Sequence, residues 1–303
     1  MEMISLTQSK STALRGALCT IIGGIFWGFS GTCGQYLFSN FAITSLQLTC
    51  IRLTVSGLIL LVISFFRRRE QFFAVWKDPK DAALLAAFGV AGLMMCQYSY
   101  MTAISFSNAA TATVLQTLSL VFIMLATCVT MRRRPNRLEN ISLLLALLGT
   151  YLLATGGDPR HMVLSRQGLF WGVTTAVAVT VYTLLPRRLL EKWDRIVITG
   201  WGMFIGGITL NLIARSWNSP VKLPVQGWLA MAVIILLGTV AAFTMFLQGI
   251  RDIGPVKSSM MASTEPVSAT IFAALWLGTT FSVMDIIGFL CITATIFLLA
   301  KSE

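Results

Sequence analysis

The chain has 303 residues, 56% of them hydrophobic and 12% charged, and a net charge of +11. Soluble domains carry roughly twice that charged fraction, so an ordinary water-soluble globule is excluded. Nucleic-acid binding is excluded too. The basic residues sit in short clusters between apolar runs (Arg67-Arg68-Arg69, Arg132-Arg133-Arg134, Arg187-Arg188), with no basic stripe interleaved with aromatics. The expected fold class is an all-α polytopic membrane protein. Apolar runs of about 20 residues cross a hydrocarbon core of about 30 Å, and without water the backbone must bond within its own helix.

Ten spans are predicted. The first, 14–37, is too long for a signal-peptide core and lacks a small-residue cleavage site, so it is retained. The others are 44–66, 81–103, 108–131, 138–155, 168–186, 196–214, 226–248, 254–276 and 282–300, with a charged connector at 187–195. Ten spans place both termini on one side. By that count 18 Lys and Arg fall on the terminus side and four on the other, Arg52 being inside a span. The positive-inside rule then makes both termini cytoplasmic in a multi-pass protein of the inner or plasma membrane. Trp76, Trp193, Trp217 and Trp228 fall near span ends as interface anchors.

The halves repeat. Gly24-Ile-Phe-Trp-Gly28 recurs as Gly168-Leu-Phe-Trp-Gly172 at an offset of 144. At an offset of 146, Gly92 meets Gly238, Leu120-Val121 meets Pro266-Val267, and Leu152-Leu-Ala154 meets Leu298-Leu-Ala300. Two five-helix units are expected, 14–155 and 168–300. Five is odd, so the second unit enters the membrane from the opposite side, and the repeats are inverted, related by a pseudo-twofold axis in the membrane plane.

These residues carry a family resemblance. With Gly24-Ile-Phe-Trp-Gly28, Arg52, the turn Ile250-Arg-Asp-Ile-Gly-Pro255 and Ser263-Thr-Glu-Pro-Val267 followed by Leu277-Gly278, the chain resembles the drug/metabolite transporter superfamily, and within it the EamA-type ten-helix carriers. The resemblance covers residues 14 to 300. It implies inverted repeats around a cavity and transport of small metabolites, often outward. Family members often carry Glu after the Leu-Gly pair; here Thr279 stands there.

Glu265 is the one acidic residue well inside an apolar run, and Pro266 follows it. A carboxyl group at bilayer depth is costly and tends to be functional or paired. Pro266 removes a backbone donor and breaks or kinks the helix. A broken helix with a charge near the midplane is how many carriers build a substrate site. Arg52 lies about 12 Å from one edge and Glu265 about 16 Å from the other, at 1.5 Å per residue, so the two share a depth. They can bind the two ends of a zwitterion, or pair with each other, or Arg52 can snorkel or bond helix carbonyls. Further substrate-binding candidates are Trp27 and Gln35 in the first span, Tyr98 in the third, Gln116 in the fourth, and Trp171 and Tyr182 in the sixth. Helix packing is the alternative role for each.

No metal or cofactor is expected. The six cysteines lie in apolar segments without a CxxC pair, and His161 has no partner at ligand spacing. No nucleophile motif and no Walker sequence occur, so the protein is not expected to be an enzyme, and its drive would come from a gradient of substrate or protons. The expected partners are the bilayer, a small-molecule substrate and protons. The leading function is export of amino acids or similar zwitterions. Transport of organic or quaternary ammonium cations is the alternative, and a membrane enzyme or lipid-modifying protein is a remote third. A reporter enzyme fused after Glu303 should be active only when it requires the cytoplasm; activity confined to the external side would refute the ten-span topology.

Overall fold

The computed structural model describes residues 2–160, 162–253 and 255–302. His161 and Gly254, the expected start of the ninth span, lie outside the described residues. Helix α1 is Glu2–Asn40. It begins well before residue 14, because nothing before Gly16 breaks it and the polar leader propagates the helix. Helix α2, Ser45–Arg67, opens on a reciprocal capping box between Thr44 and Gln47. Helix α3, Pro79–Phe106, starts with Asp78 capping and Pro79 in the first turn, and is π-helical over Phe88–Met94. Helix α4, Ala109–Thr130, is interrupted at Thr117–Leu118. Helix α5, Arg137–Thr155, ends on Gly156 at φ 62°.

Helix α6 spans Arg166–Lys192. The expected connector at 187–195 is therefore largely helical: after a turn at Leu185–Pro186 the helix resumes over Arg187–Lys192, with Pro186 ahead of it where no amide donor is needed. Helix α7 is Arg195–Ala214, capped by Asp194. Helix α8, Val225–Ile253, is π-helical over Leu236–Ala241. It continues through Ile250–Ile253, which the sequence placed in a turn. Helices α9, Pro255–Ala262, and α10, Thr264–Leu277, meet at Ser263. Helix α11 is Val283–Ser302. No strand occurs among the described residues.

Eight helices among the described residues are long and apolar enough to cross a membrane, and Val283–Leu299 is a shorter apolar one. The outside of the bundle is apolar. Leu144, Leu212, Leu229, Leu275 and Leu290 are all more than 60% exposed, which suits lipid and not water. Many interior hydroxyls bond one turn back along their own helix, as Thr20 does to Gly16, Thr32 to Gly28 and Thr49 to Ser45. The fold is a polytopic all-helical bundle.

Packing pairs the helices across the two halves. Helix α2 lies along α7 and α5 along α11. Helix α1 packs on α8 and α10, while α6 packs on α3 and α4. Small residues set these distances, since lipid supplies no hydrophobic drive between helices. A Cβ on Gly57 would lie 2.6 Å from the backbone nitrogen of Phe204. Replacing Gly57 with Val should therefore push α2 off α7 and cost about 1–3 kcal/mol, the usual range for overpacking. The check is a lower Tm of the detergent-purified protein; an unchanged Tm would contradict the close approach.

Candidate functional site

The chain breaks where Glu265 sits. Pro266 has no amide hydrogen to return to Ala262, and the helix turns at Ser263 before restarting. Neighbouring hydroxyls bond the carbonyls there: Thr264 donates to Met261 at 3.0 Å and to Ile21 of α1 at 3.3 Å, and Ser268 donates to the Glu265 carbonyl at 2.9 Å. Helix α1 presses on this break through glycines. A Cβ on Gly28 would stand 2.6 Å from the Glu265 carbonyl oxygen and 2.7 Å from the Ala269 nitrogen. The Gly-Ile-Phe-Trp-Gly motif thus sets the position of Glu265 by backbone contact. The Glu265 side chain is half-buried. It makes no hydrogen bond or salt bridge among the described residues, while it acts electrostatically on Arg52, Tyr100 and Cys96.

Arg52 is 3% exposed. Its Nε donates to the Thr239 hydroxyl at 3.1 Å, and that hydroxyl donates to the Ile234 carbonyl five residues back at 3.0 Å. The five-residue reach belongs to the π-helical register of α8, so the π segment presents Thr239 to Arg52. Arg52 Nη1 is buried with no partner, as are the hydroxyls of Ser30, Ser56 and Thr175. A buried unpaired donor on a guanidinium is costly to leave unmade. Arg52 and Glu265 therefore face each other's fields without forming a salt bridge, and Arg52 neither snorkels out nor bonds a helix carbonyl.

The other candidates are placed as follows. The Gln35 amide is engaged at both ends, donating to Thr279 at 3.0 Å and accepting from the Ala109 amide at 2.8 Å, where it caps α4. Thr279, which departs from the family pattern, is thereby a positioning partner of Gln35. Trp27 packs edge-on to Phe243 and against Phe246. Tyr98 and Trp171 form a T-shaped pair at 5.4 Å, and Tyr182 stacks on Phe88. Gln116 is half-buried with no hydrogen bond among the described residues. The Tyr100 hydroxyl and Thr113 hydroxyl are hydrogen-bonded at 2.8 Å near Glu265's field. The structure brings Arg52, Glu265 and Tyr100 into one electrostatic group and leaves the aromatic candidates in packing pairs.

Two features carry no strong mark in the sequence. One is Thr239, which looks like any membrane threonine until the π segment turns it inward. The other is Asp81, whose carboxylate accepts from Lys192 Nζ at 2.6 Å and Trp193 Nε1 at 2.9 Å, tying the start of α3 to the end of α6. At that same end lies a cavity of about 820 Å³, lined by the ends of α2 and α8 and the start of α7, including Arg67, Arg68, Asp194, Arg195, Gln248 and Arg251. A second groove of about 400 Å³ runs along the outer face of α6 from Met162 to Val177.

A bundle of helices long and apolar enough to cross a bilayer defines a polytopic membrane protein, and sequence comparison gives its class. The profile of the EamA-like transporter family matches residues 14–155 and 166–301, and the chain belongs to that family. It is 35% identical over 286 residues to the uncharacterized inner membrane transporter YicL of Salmonella typhimurium, covering 94% of this chain and 95% of that one. It is 22% identical to the uncharacterized transporter YyaM of Bacillus subtilis over 69% of this chain and 70% of that one. A solved crystal structure superposes with a TM-score of 0.63 at 19% identity, over 96% of this chain and 99% of that one, which bears on the fold alone.

Replacing Thr239 with Val keeps the shape and removes the acceptor for Arg52 Nε. The cost should be about 1–3 kcal/mol, the penalty of a buried donor left without a partner. It should read as a lower Tm in detergent, whereas Thr239→Ser should keep most of the stability. Equal Tm for all three proteins would show that the contact carries nothing.

Proposed function

We propose that this protein is a secondary active carrier which moves a small zwitterionic metabolite, of the amino-acid type, outward across the inner membrane by alternating access. The observation that carries the reading is the pair of intramembrane charges. Arg52 keeps a free Nη1 and Glu265 keeps a free carboxylate, so each has binding capacity that the other does not use. A solute with a carboxylate and an ammonium group fits that complement.

Alternating access needs two related halves, and several features support an inverted repeat. The π segments Phe88–Met94 and Leu236–Ala241 overlay Gly92 on Gly238, and the breaks at Thr117 and Ser263 stand at the same offset of 146 as the sequence repeats. Exchanging the halves also converts the pairs α1–α8 and α1–α10 into α6–α3 and α6–α4, which are the pairs found. A quaternary ammonium substrate is the second reading, favoured by the lack of a hydrogen-bond partner for Glu265 among the described residues. Glu265 is the proposed proton carrier. The groups that face it are Arg52 of α2 and Tyr100 and Cys96 of α3.

The test is uptake into proteoliposomes of labelled amino acids and of choline, with and without a pH gradient. Glu265→Gln should abolish the pH dependence of the transported compound. Wild-type rates in Glu265→Gln at every pH and for every compound would exclude Glu265 from both proton coupling and substrate binding.

A further inference from the structure

The two ends of the bundle are not equivalent. At the end away from the arginine clusters, the second half of α3 packs against α2, and Thr102 donates to Ser45 at 3.0 Å. Exchange of the halves turns this contact into one between the second half of α8 and α7. No comparable packing joins those segments among the described residues, and the cavity of about 820 Å³ stands there instead. The counterparts of the touching residues line it. Thr102 corresponds to Gln248 at the offset of 146. Ser45 corresponds to Arg195, each being the first residue after its helix cap. The cavity is thus the open form of a contact that is closed at the other end.

Its charge is unbalanced. Arg67, Arg68, Arg195 and Arg251 line it with the single carboxylate of Asp194, a net +3. Asp194 is already used, capping α7 and accepting from Arg68 at 3.2 Å. Arg67, Arg195 and Arg251 make no hydrogen bond or ion pair among the described residues, unlike Arg15, Arg68, Arg133 and Arg188 at the same end. Preference for basic residues at a cytoplasmic edge accounts for arginines at these helix ends. It does not account for three of them lining one cavity with no hydrogen bond or ion pair among the described residues, Arg251 having only the field of Asp252, whose carboxylate is bonded by Arg15. Bringing α8 onto α7 would crowd these guanidinium groups as water leaves, which is unfavourable unless an anion enters with them.

We infer that this cavity is a binding site for the anionic group, carboxylate or phosphate, of a dissolved organic solute, and that the anion offsets the like charges when α7 and α8 close. The inference rests on the carrier reading and narrows its substrate class to solutes bearing an anionic group, against the quaternary ammonium alternative. The apolar part of the lining, Leu190, Trp193, Ile196 and Leu247, gives room for a carbon skeleton beside the charge.

Trp193 lies in the wall and reports occupancy. The protein is placed in nanodiscs of phosphatidylcholine, and its fluorescence is titrated with L-glutamate, L-malate and inorganic phosphate at constant ionic strength, with choline and sodium chloride as controls; Trp193→Phe identifies the cavity signal. The expected result is saturation by at least one of the three anions and by neither control, with the apparent Kd weakened about tenfold or more in Arg195→Gln and Arg251→Gln and largely kept in Arg251→Lys. Because these arginines are unpaired, the substitutions should leave the Tm unchanged. No saturation by any of the three, saturation by choline, or equal Kd in the Gln variants would overturn the inference. Loss of the signal on adding phosphatidylglycerol would assign the site to a lipid headgroup and overturn the solute. The titration needs no transport, so a protein that binds the anion but moves nothing in proteoliposomes would refute the carrier reading and leave the site standing.

Discussion

In a bilayer every backbone donor and acceptor must find a partner within the protein, and the regular α-helix meets that demand almost alone. The information in this bundle is therefore concentrated where the regular pattern fails. It fails at Phe88–Met94, Thr117–Leu118, Leu236–Ala241 and Ser263. Three of the four are held by a threonine hydroxyl. Thr239 bonds the Ile234 carbonyl, Thr117 bonds Val114, and Thr264 bonds Met261. Thr239 lies in one of these segments and Glu265 beside another.

The glycines decide how closely these irregular segments approach. Gly28 admits the Glu265 carbonyl, and Gly238 admits Ser30. A bundle held by such contacts can be tight without being locked, because the close approaches concentrate along a few helix pairs. Between α2 and α7 such contacts recur along the helix, at Gly57, Gly200 and Gly207. Between α7 and the second half of α8 there is no such contact among the described residues, and the arginine-lined cavity lies there. The charges at that end then divide into two sets. Asp81 with Lys192, and Asp252 with Arg15, tie helices together, whereas Arg67, Arg195 and Arg251 remain available.

Apolar length and charge clustering were enough to read the class of fold, because crossing a hydrocarbon layer places the same demand on every span. The recurring Gly-x-Phe-Trp-Gly motif and the matches at an offset of 146 were equally visible, being patterns of residue type. Helix ends were less legible. Residues 187–192 looked like a loop because they are charged, yet after the turn at Leu185–Pro186 they form a short helix, Pro186 standing where no amide donor is needed. Glu265, Arg52 and Pro266 stood out from the sequence because charge and proline are conspicuous in an apolar run.

What the sequence determined by itself is the membrane-spanning helical class and which residues put a charge or a proline inside an apolar run. Each follows from a cost that burial in lipid imposes on residue type. What only the tertiary structure decided is which groups are still free to act. Gln35 proved to be held between Thr279 and the Ala109 amide, while Arg52 kept an unpaired Nη1 beside Thr239. Whether a polar group is satisfied depends on the angle of a π turn and the approach of a neighbouring helix. Those are relations between segments distant in the chain, and no single stretch of residues records them.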